Sequence, residues 1–198
     1  LAAQSVDITV SGTKSLTATK VDLSGSGGAG VLAANSNNFV INNAPAATLV
    51  WTTSPANPPI AGDDLLPVIE IRDTHGHVVT TGIDATALIT LSVNTGTGSL
   101  NGTVAKQATA GVVSFLAAQS LDFTVTGAKT LTATKADLSG GGGAGALNAN
   151  SAAFTINNSA ATTLVWTTSP ANPTAAGADL LPVIEIRDTH GNVVTTGL

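Results

Sequence analysis

Residues 1–83 align without a gap on residues 116–198, and 63 of the 83 pairs are identical. The strings TLVWTTSPANP and LLPVIEIRDTHG each occur twice. Self-similarity at a fixed offset, here 115 residues, marks an array of like units and constrains the fold more tightly than any local pattern. Enzymes seldom need near-identical tandem copies, whereas fibres, stalks and adhesins are built from them. The repeat therefore points to architecture rather than to chemistry.

The boundary between units falls at INNAPAAT and its copy INNSAATT. There a strand ends in paired asparagines, small residues follow, and a new strand begins at TLVW. Division at these points predicts the C-terminal part of a preceding repeat at 1–45, one complete repeat at 46–160, and the N-terminal part of a following repeat at 161–198. The start in mid-repeat predicts an interior piece of a longer polypeptide. A half-unit buries too little apolar surface to stand alone and exposes open sheet edges. The expected partners are therefore neighbouring copies of the same protein, with 161–198 of one packing on 1–45 of the next.

Within 46–160 nearly every apolar run alternates with a period of two and is rich in β-branched residues, the pattern of strands rather than helices. Leu49 and Trp51 share one face; Ile69 and Ile71 point inward with Glu70 and Arg72 outward; Ile89, Leu91 and Val93 line a further core face. The proline-rich stretch 54–59 breaks a ladder because proline has no amide donor. Asp73-Thr74-His75-Gly76 reads as a turn, and Asn101-Gly102 as another. Further strands are expected at Val78–Thr80, around Leu100 and Val104, and over Val112–Phe115, Leu121–Val125, Lys129–Lys135 and Phe154–Ile156, seven to nine in all. The predicted fold class is all-β: tandem immunoglobulin-like antiparallel sandwiches with Greek-key connections.

Composition excludes several functions. The chain has no cysteine, hence no disulfide framework or thiol chemistry, and its seven Lys and Arg are scattered singly in a net charge of −5. Nucleic acids and anionic membranes require a clustered basic footprint. No apolar run reaches the length of a membrane-spanning helix. Abundant Thr, Ser, Asn, Gly and Ala with few charges fit an exported, extended β protein, so an extracellular or cell-surface location is expected.

The order PVIEIRDTHGHVV, ALITLSV, GSLNGT, AGVVSF and KTLTATKADL resembles the bacterial immunoglobulin-like (Big) repeats, which are similar to the extracellular domains of invasin and intimin. The matching pattern covers most of 46–135. The resemblance implies a spacer role with no catalytic residues, adhesion being left to special tip domains. The insert DLSGGGGAGALNANSAAF is longer and richer in glycine than that pattern.

No catalytic, cofactor-binding or metal site is expected. Gly25–Gly30 and Gly140–Gly145 formally match G-x-G-x-x-G, yet a phosphate cradle needs a helix behind the glycines and an acid about 20 residues on. A hairpin loop, or a surface where backbones approach closely, is the simpler expectation. His75 and His77 lack a third metal ligand, and the second copy reads His190-Gly191-Asn192. Asp63, Asp64, Asp73 and Asp84 offer oxygen ligands for calcium without any established spacing, and Ala178 replaces the copy of Asp63. A Ser-His-Asp triad lacks its nucleophile elbow. Six aromatic residues, two Trp and four Phe, are few for a carbohydrate platform. Lys14, Lys20 and their copies would permit isopeptide crosslinks only beside a buried acid, and none is evident in the sequence.

Two functional expectations follow: a structural segment of a bacterial surface fibre, stalk or adhesin, and, as the alternative, a binding module that meets a receptor or glycan through end loops.

Overall fold

A computed structural model describes residues 5–22, 24–56 and 58–196. Asn57 in the proline-rich break, Leu23 at the start of the first glycine-rich stretch, and the outermost residues of the two flanking segments lie outside the described residues.

The chain is all-β, with fourteen strands and four short 3-10 turns among the described residues. Every strand pairing is antiparallel. A three-stranded sheet has the order β5 (Ala46–Thr53), β6 (Val68–Asp73), β9 (Val112–Ser114). A larger sheet has the order β11 (Leu147–Asn150), β10 (Gly127–Lys135), β7 (Leu88–Thr95), β8 (Ala105–Gln107), and β12 (Phe154–Ile156) also pairs with β10. The two sheets enclose one core in a sandwich-like arrangement. Leu49, Ile69, Ile71 and Val113 come from the first sheet, and Ile89, Leu91, Leu131, Ala133, Phe154 and Ile156 from the second. All of these positions follow the period-two rule, since alternate side chains of a strand face one side. Trp51 closes one margin of the core and its indole N–H donates to the Ala149 carbonyl at 3.1 Å, tying β5 to β11.

Every residue of this core lies between Ala46 and Ile156. Among the described residues the flanks hold only two-stranded pieces: β1 (Gly12–Lys14) with β4 (Phe39–Ile41), β2 (Thr17–Lys20) with β3 (Leu32–Asn35), and β13 (Ala161–Thr168) with β14 (Val183–Asp188). Their ends fall on the sequence repeat: β2 ends at Lys20 and β10 at Lys135, and β6 ends at Asp73 and β14 at Asp188.

Eight strands run from β5 to β12, as expected, but not all at the expected places. Leu121–Val125 is not a strand. Leu121 and Phe123 are buried like strand residues, yet their carbonyls accept from the amides of Leu65 (2.8 Å) and Gly62 (2.9 Å) in a loop, so no ladder forms. Val78–Thr80 is reduced to a single bridge between Val78 and Arg72. The strand expected around Leu100 and Val104 begins instead at Ala105. Asn101 makes one bridge to Asp122, and Gly102 adopts φ +83° with its Cα so close to the Ser120 carbonyl that a Cβ would collide.

Candidate functional site: a buried ion pair and the joint between segments

Two features concentrate polar side chains. The first lies under the glycine-rich insert. Strand β10 alternates Lys129, Leu131, Ala133 and Lys135 on its inward face, so both lysines are carried into the core with the apolar residues. Lys129 donates to the carbonyls of Thr97 (2.6 Å) and Thr126 (3.5 Å), and its ammonium sits 4.9 Å from the centre of the Phe123 ring. Burial holds its pKa below the usual lysine value. Lys135 donates to the carbonyls of Ala136 (3.2 Å), Ala144 (3.0 Å) and Gly145 (3.2 Å), and Nζ stands 2.8 Å from Asp84 Oδ1. The lysine's three donors point at those carbonyls, so the contact with Oδ1 is a charge pair rather than an aligned hydrogen bond. Asp84 Oδ2 accepts from the Ala144 amide at 2.8 Å.

The acid that the sequence did not reveal beside Lys135 is therefore Asp84, held in the 3-10 turn Ile83–Thr86 just before β7. The glycine-rich stretch 140–145 caps this pair. It is the β10–β11 hairpin connection, with a 3-10 turn at Ser139–Gly141, and its Ala144 amide is engaged by a carboxylate of the chain itself. A Cβ on Gly143 would lie 2.7 Å from both Ile83 and Leu138, which explains the glycine by close approach of backbone rather than by phosphate binding.

The second feature is the joint at 42–45 and its copy at 157–160. Asn43 Oδ1 accepts from the Thr80 amide (3.0 Å) and the Thr80 and Thr81 hydroxyls (3.1 and 3.4 Å), while Nδ2 donates to the Val78 carbonyl (3.1 Å) and to Ser11 Oγ (3.2 Å). Asn158 repeats this with Thr195 and Thr196: its Oδ1 accepts from both amides, at 3.1 and 3.2 Å, and from the Thr196 hydroxyl at 3.0 Å. An asparagine amide presents acceptor and donors from one rigid plane, so a single side chain clamps the connector to the turn after β6 or β14.

Buried carboxylates fix the same turns. Asp73 accepts from the amides of His75 (2.9 Å) and His77 (3.0 Å). Asp188 accepts from His190 (2.9 Å), Asn192 (2.8 Å) and the connector amide of Ser159 (3.0 Å), and from Asn192 Nδ2 (2.9 Å). Burial alone would raise the pKa of Asp188, but these hydrogen bonds outweigh it and bring it down to about 2. Asp73 is likewise lowered, burial again opposing the hydrogen bonds from His77 and His75. Asn192 then reaches back across the joint: Nδ2 donates to the Thr124 carbonyl (2.8 Å) and Oδ1 accepts from the Thr126 amide (3.3 Å). His190 lies against Gly62, where a Cβ would stand 2.8 Å from its Nε2.

The remaining sequence candidates are dispersed. The rings of His75 and His77 are 6.4 Å apart and tilted, and His77 Nδ1 stands 3.8 Å from Asp73 Oδ1. Asp63 bonds the Ile60 amide in its own turn, Asp64 is exposed, and Asp73 and Asp84 are spent on the partners above. Among the described residues no group of three or more His, Cys, Asp or Glu is placed to share a metal ion. An open cleft of ≈ 400 Å³ at the second joint is lined by Ile60, Asn157, Asn158, Ser159, Ala160 and Thr196, all uncharged. No helix of the described residues is long and apolar enough to cross a membrane.

Sequence reasoning missed both the ion pair and the asparagine clamps. The alternation of β10 carried a signal for Lys129 and Lys135, which share the parity of Leu131 and Ala133. Nothing local marked Asp84 as the acid of Lys135. Compared with known proteins, the chain matches no family model and no curated protein.

Proposed function

We propose that this chain is a structural repeat segment of an exported bacterial surface fibre, stalk or adhesin, in which tandem immunoglobulin-like sandwiches form a rod. The segments are 1–45, 46–160 and 161–198, and the working part is the joint between them. The observation that carries the reading is the duplicated joint. Asn43 and Asn158, like Asp73 and Asp188, make corresponding bonds 115 residues apart. A connector of four residues held by side-chain and main-chain bonds at both ends permits little swing, so successive sandwiches would add length in a fixed direction. The buried and joint-forming polar side chains serve cohesion: charge pairing in the core and hydrogen bonding at the joints. A bacterial cell-surface location rests on the composition and on the resemblance to Big repeats.

Chains carrying two, four and eight copies of residues 46–160 test this reading through small-angle scattering and negative-stain microscopy. The rod reading expects a long dimension that grows in equal increments per copy. Growth as the square root of copy number, the behaviour of a flexibly linked string, would refute it. Immunogold labelling of the source cells with an antibody to 46–160 checks the location, and label confined to the cell interior would overturn it.

A further inference from the structure

Lys135 is a buried primary amine and Asp84 a buried carboxyl, and the fold holds them in contact with Nζ 2.8 Å from Oδ1. The two carboxyl oxygens have different surroundings. Oδ2 accepts from the Ala144 amide at 2.8 Å, whereas Oδ1 is buried and accepts no hydrogen bond. The carbonyls of Ala136, Ala144 and Gly145 hold Nζ in place. A cavity of ≈ 170 Å³, lined by Asn43, Thr81, Gly82, Ile83 and Gly142 among others, adjoins Asp84.

These are the parts of an acyl-transfer site. An amine nucleophile lies beside an acyl carbon, which replaces a chance encounter with fixed proximity. A main-chain N–H already addresses the oxygen on which negative charge would develop. The other oxygen has only the amine for company and is free to leave.

We propose that Lys135 and Asp84 join in an isopeptide bond made by the chain itself. A proton passes from Nζ to Oδ1, leaving a neutral amine beside a neutral acid. The Nζ lone pair attacks Cγ, and the charge that develops on Oδ2 is met by the Ala144 N–H. The Cγ–Oδ1 bond then breaks as a second proton passes from Nζ to Oδ1, which departs as water into the adjoining cavity. The amide nitrogen keeps the third hydrogen, so an ammonium and a carboxylate give one amide and one water, with no co-reactant. Burial favours the product, because a neutral amide costs far less to keep from water than two ions. The reaction is slow, since the three carbonyls must release Nζ before its lone pair can turn to Cγ. Freshly prepared chain therefore carries the charge pair, and the amide accumulates from it. Lys129 provides the contrast: it is buried on the same strand, but its ammonium meets the Thr97 and Thr126 carbonyls and the Phe123 ring, none of which it can acylate on. The bond closes residues 84–135 into a loop and ties the turn before β7 to the end of β10, whichever way successive repeats are arranged.

Purified full chain kept under native conditions for several weeks tests this, with intact mass and tryptic peptides followed over time. The unaltered chain is expected to become lighter by one water. A branched peptide joining 73–106 to 130–187 should appear, with cleavage after Lys129 kept and cleavage after Lys135 lost. Unaltered chain held in urea from the start, and the Lys135→Arg variant, are expected to retain the full sequence mass. Two outcomes overturn the proposal. One is an unaltered chain that keeps its full mass throughout. The other is a loss of water that also arises in urea or in Lys135→Arg, which marks a succinimide at an aspartate rather than this bond. The urea control uses the unaltered sequence, so the test stands even where the variant fails to fold. The rod measurement does not depend on this bond, so the two readings fail independently.

Discussion

Lys135 Nζ and Asp84 Oδ1 stand 2.8 Å apart with side chains 0 % and 7 % exposed, a charge pair sealed beneath the glycine-rich hairpin connection. Burying both charges costs several kcal/mol per ion, which mutual attraction and added hydrogen bonds must offset. The carbonyls of Ala136, Ala144 and Gly145 and the amide of Ala144 supply those hydrogen bonds.

Removal of one partner leaves the other charge buried without compensation. Asp84→Ala or Lys135→Met is expected to lower stability by about 3–5 kcal/mol, read from urea unfolding of the full chain. The double variant Asp84→Leu/Lys135→Met should recover most of that loss. Additive losses in the double variant would show that the two residues act separately.

The glycines above the pair are not equivalent. A Cβ at Gly143 would meet Ile83, Leu138 and Asp84 Oδ1 within 2.9 Å, whereas at Gly140 it would meet nothing within 4 Å. Gly143→Ala is expected to cost about 1–3 kcal/mol, as overpacking does, and Gly140→Ala to be neutral within about 0.5 kcal/mol, as on an open surface. Equal effects at the two positions in thermal unfolding would contradict this packing.

The joint has its own pH dependence. Asp188 has a folded pKa of about 2 against an ordinary value of 3.8, so it binds protons more weakly when folded. Its contribution is therefore fully present above pH 3.8 and is lost as pH falls through about 2. The stability difference between the unaltered chain and Asp188→Ala should be constant near neutrality and shrink between these limits. A difference that instead shrinks on the alkaline side would reverse the sign of this argument.

Asn158 clamps three donors of Thr195 and Thr196, and Asn192 bridges to Thr124 and Thr126. Asn158→Ala or Asn192→Ala should each cost about 1 kcal/mol, the usual net value of a partly exposed hydrogen-bonded group. Amide exchange should rise at Ser159 and Thr195 while the core amides of β7 and β10 remain protected. Unchanged exchange at the joint would mean that the asparagines do not hold it.

Much of the strand plan was legible because alternation is a local property. Ile69 with Ile71, and Ile89 with Leu91, each place two apolar side chains on one face, and burial follows. Leu121–Val125 obeys the same alternation and is not a strand, because alternation records burial and not which backbone groups will pair. The lysines of β10 were readable by parity but not by residue type, since a buried lysine contradicts its usual preference unless an acid far along the chain is known to meet it.

The sequence by itself determined the all-β character, the 115-residue self-similarity and the inward parity of each strand, since these depend on residue order alone. The tertiary structure decided that Asp84 meets Lys135, that Asn192 spans a joint, and which apolar faces are left to solvent. Those relations join residues distant in sequence, and only the packing of the two sheets, with its exclusion of water, selects among the many pairings that composition allows.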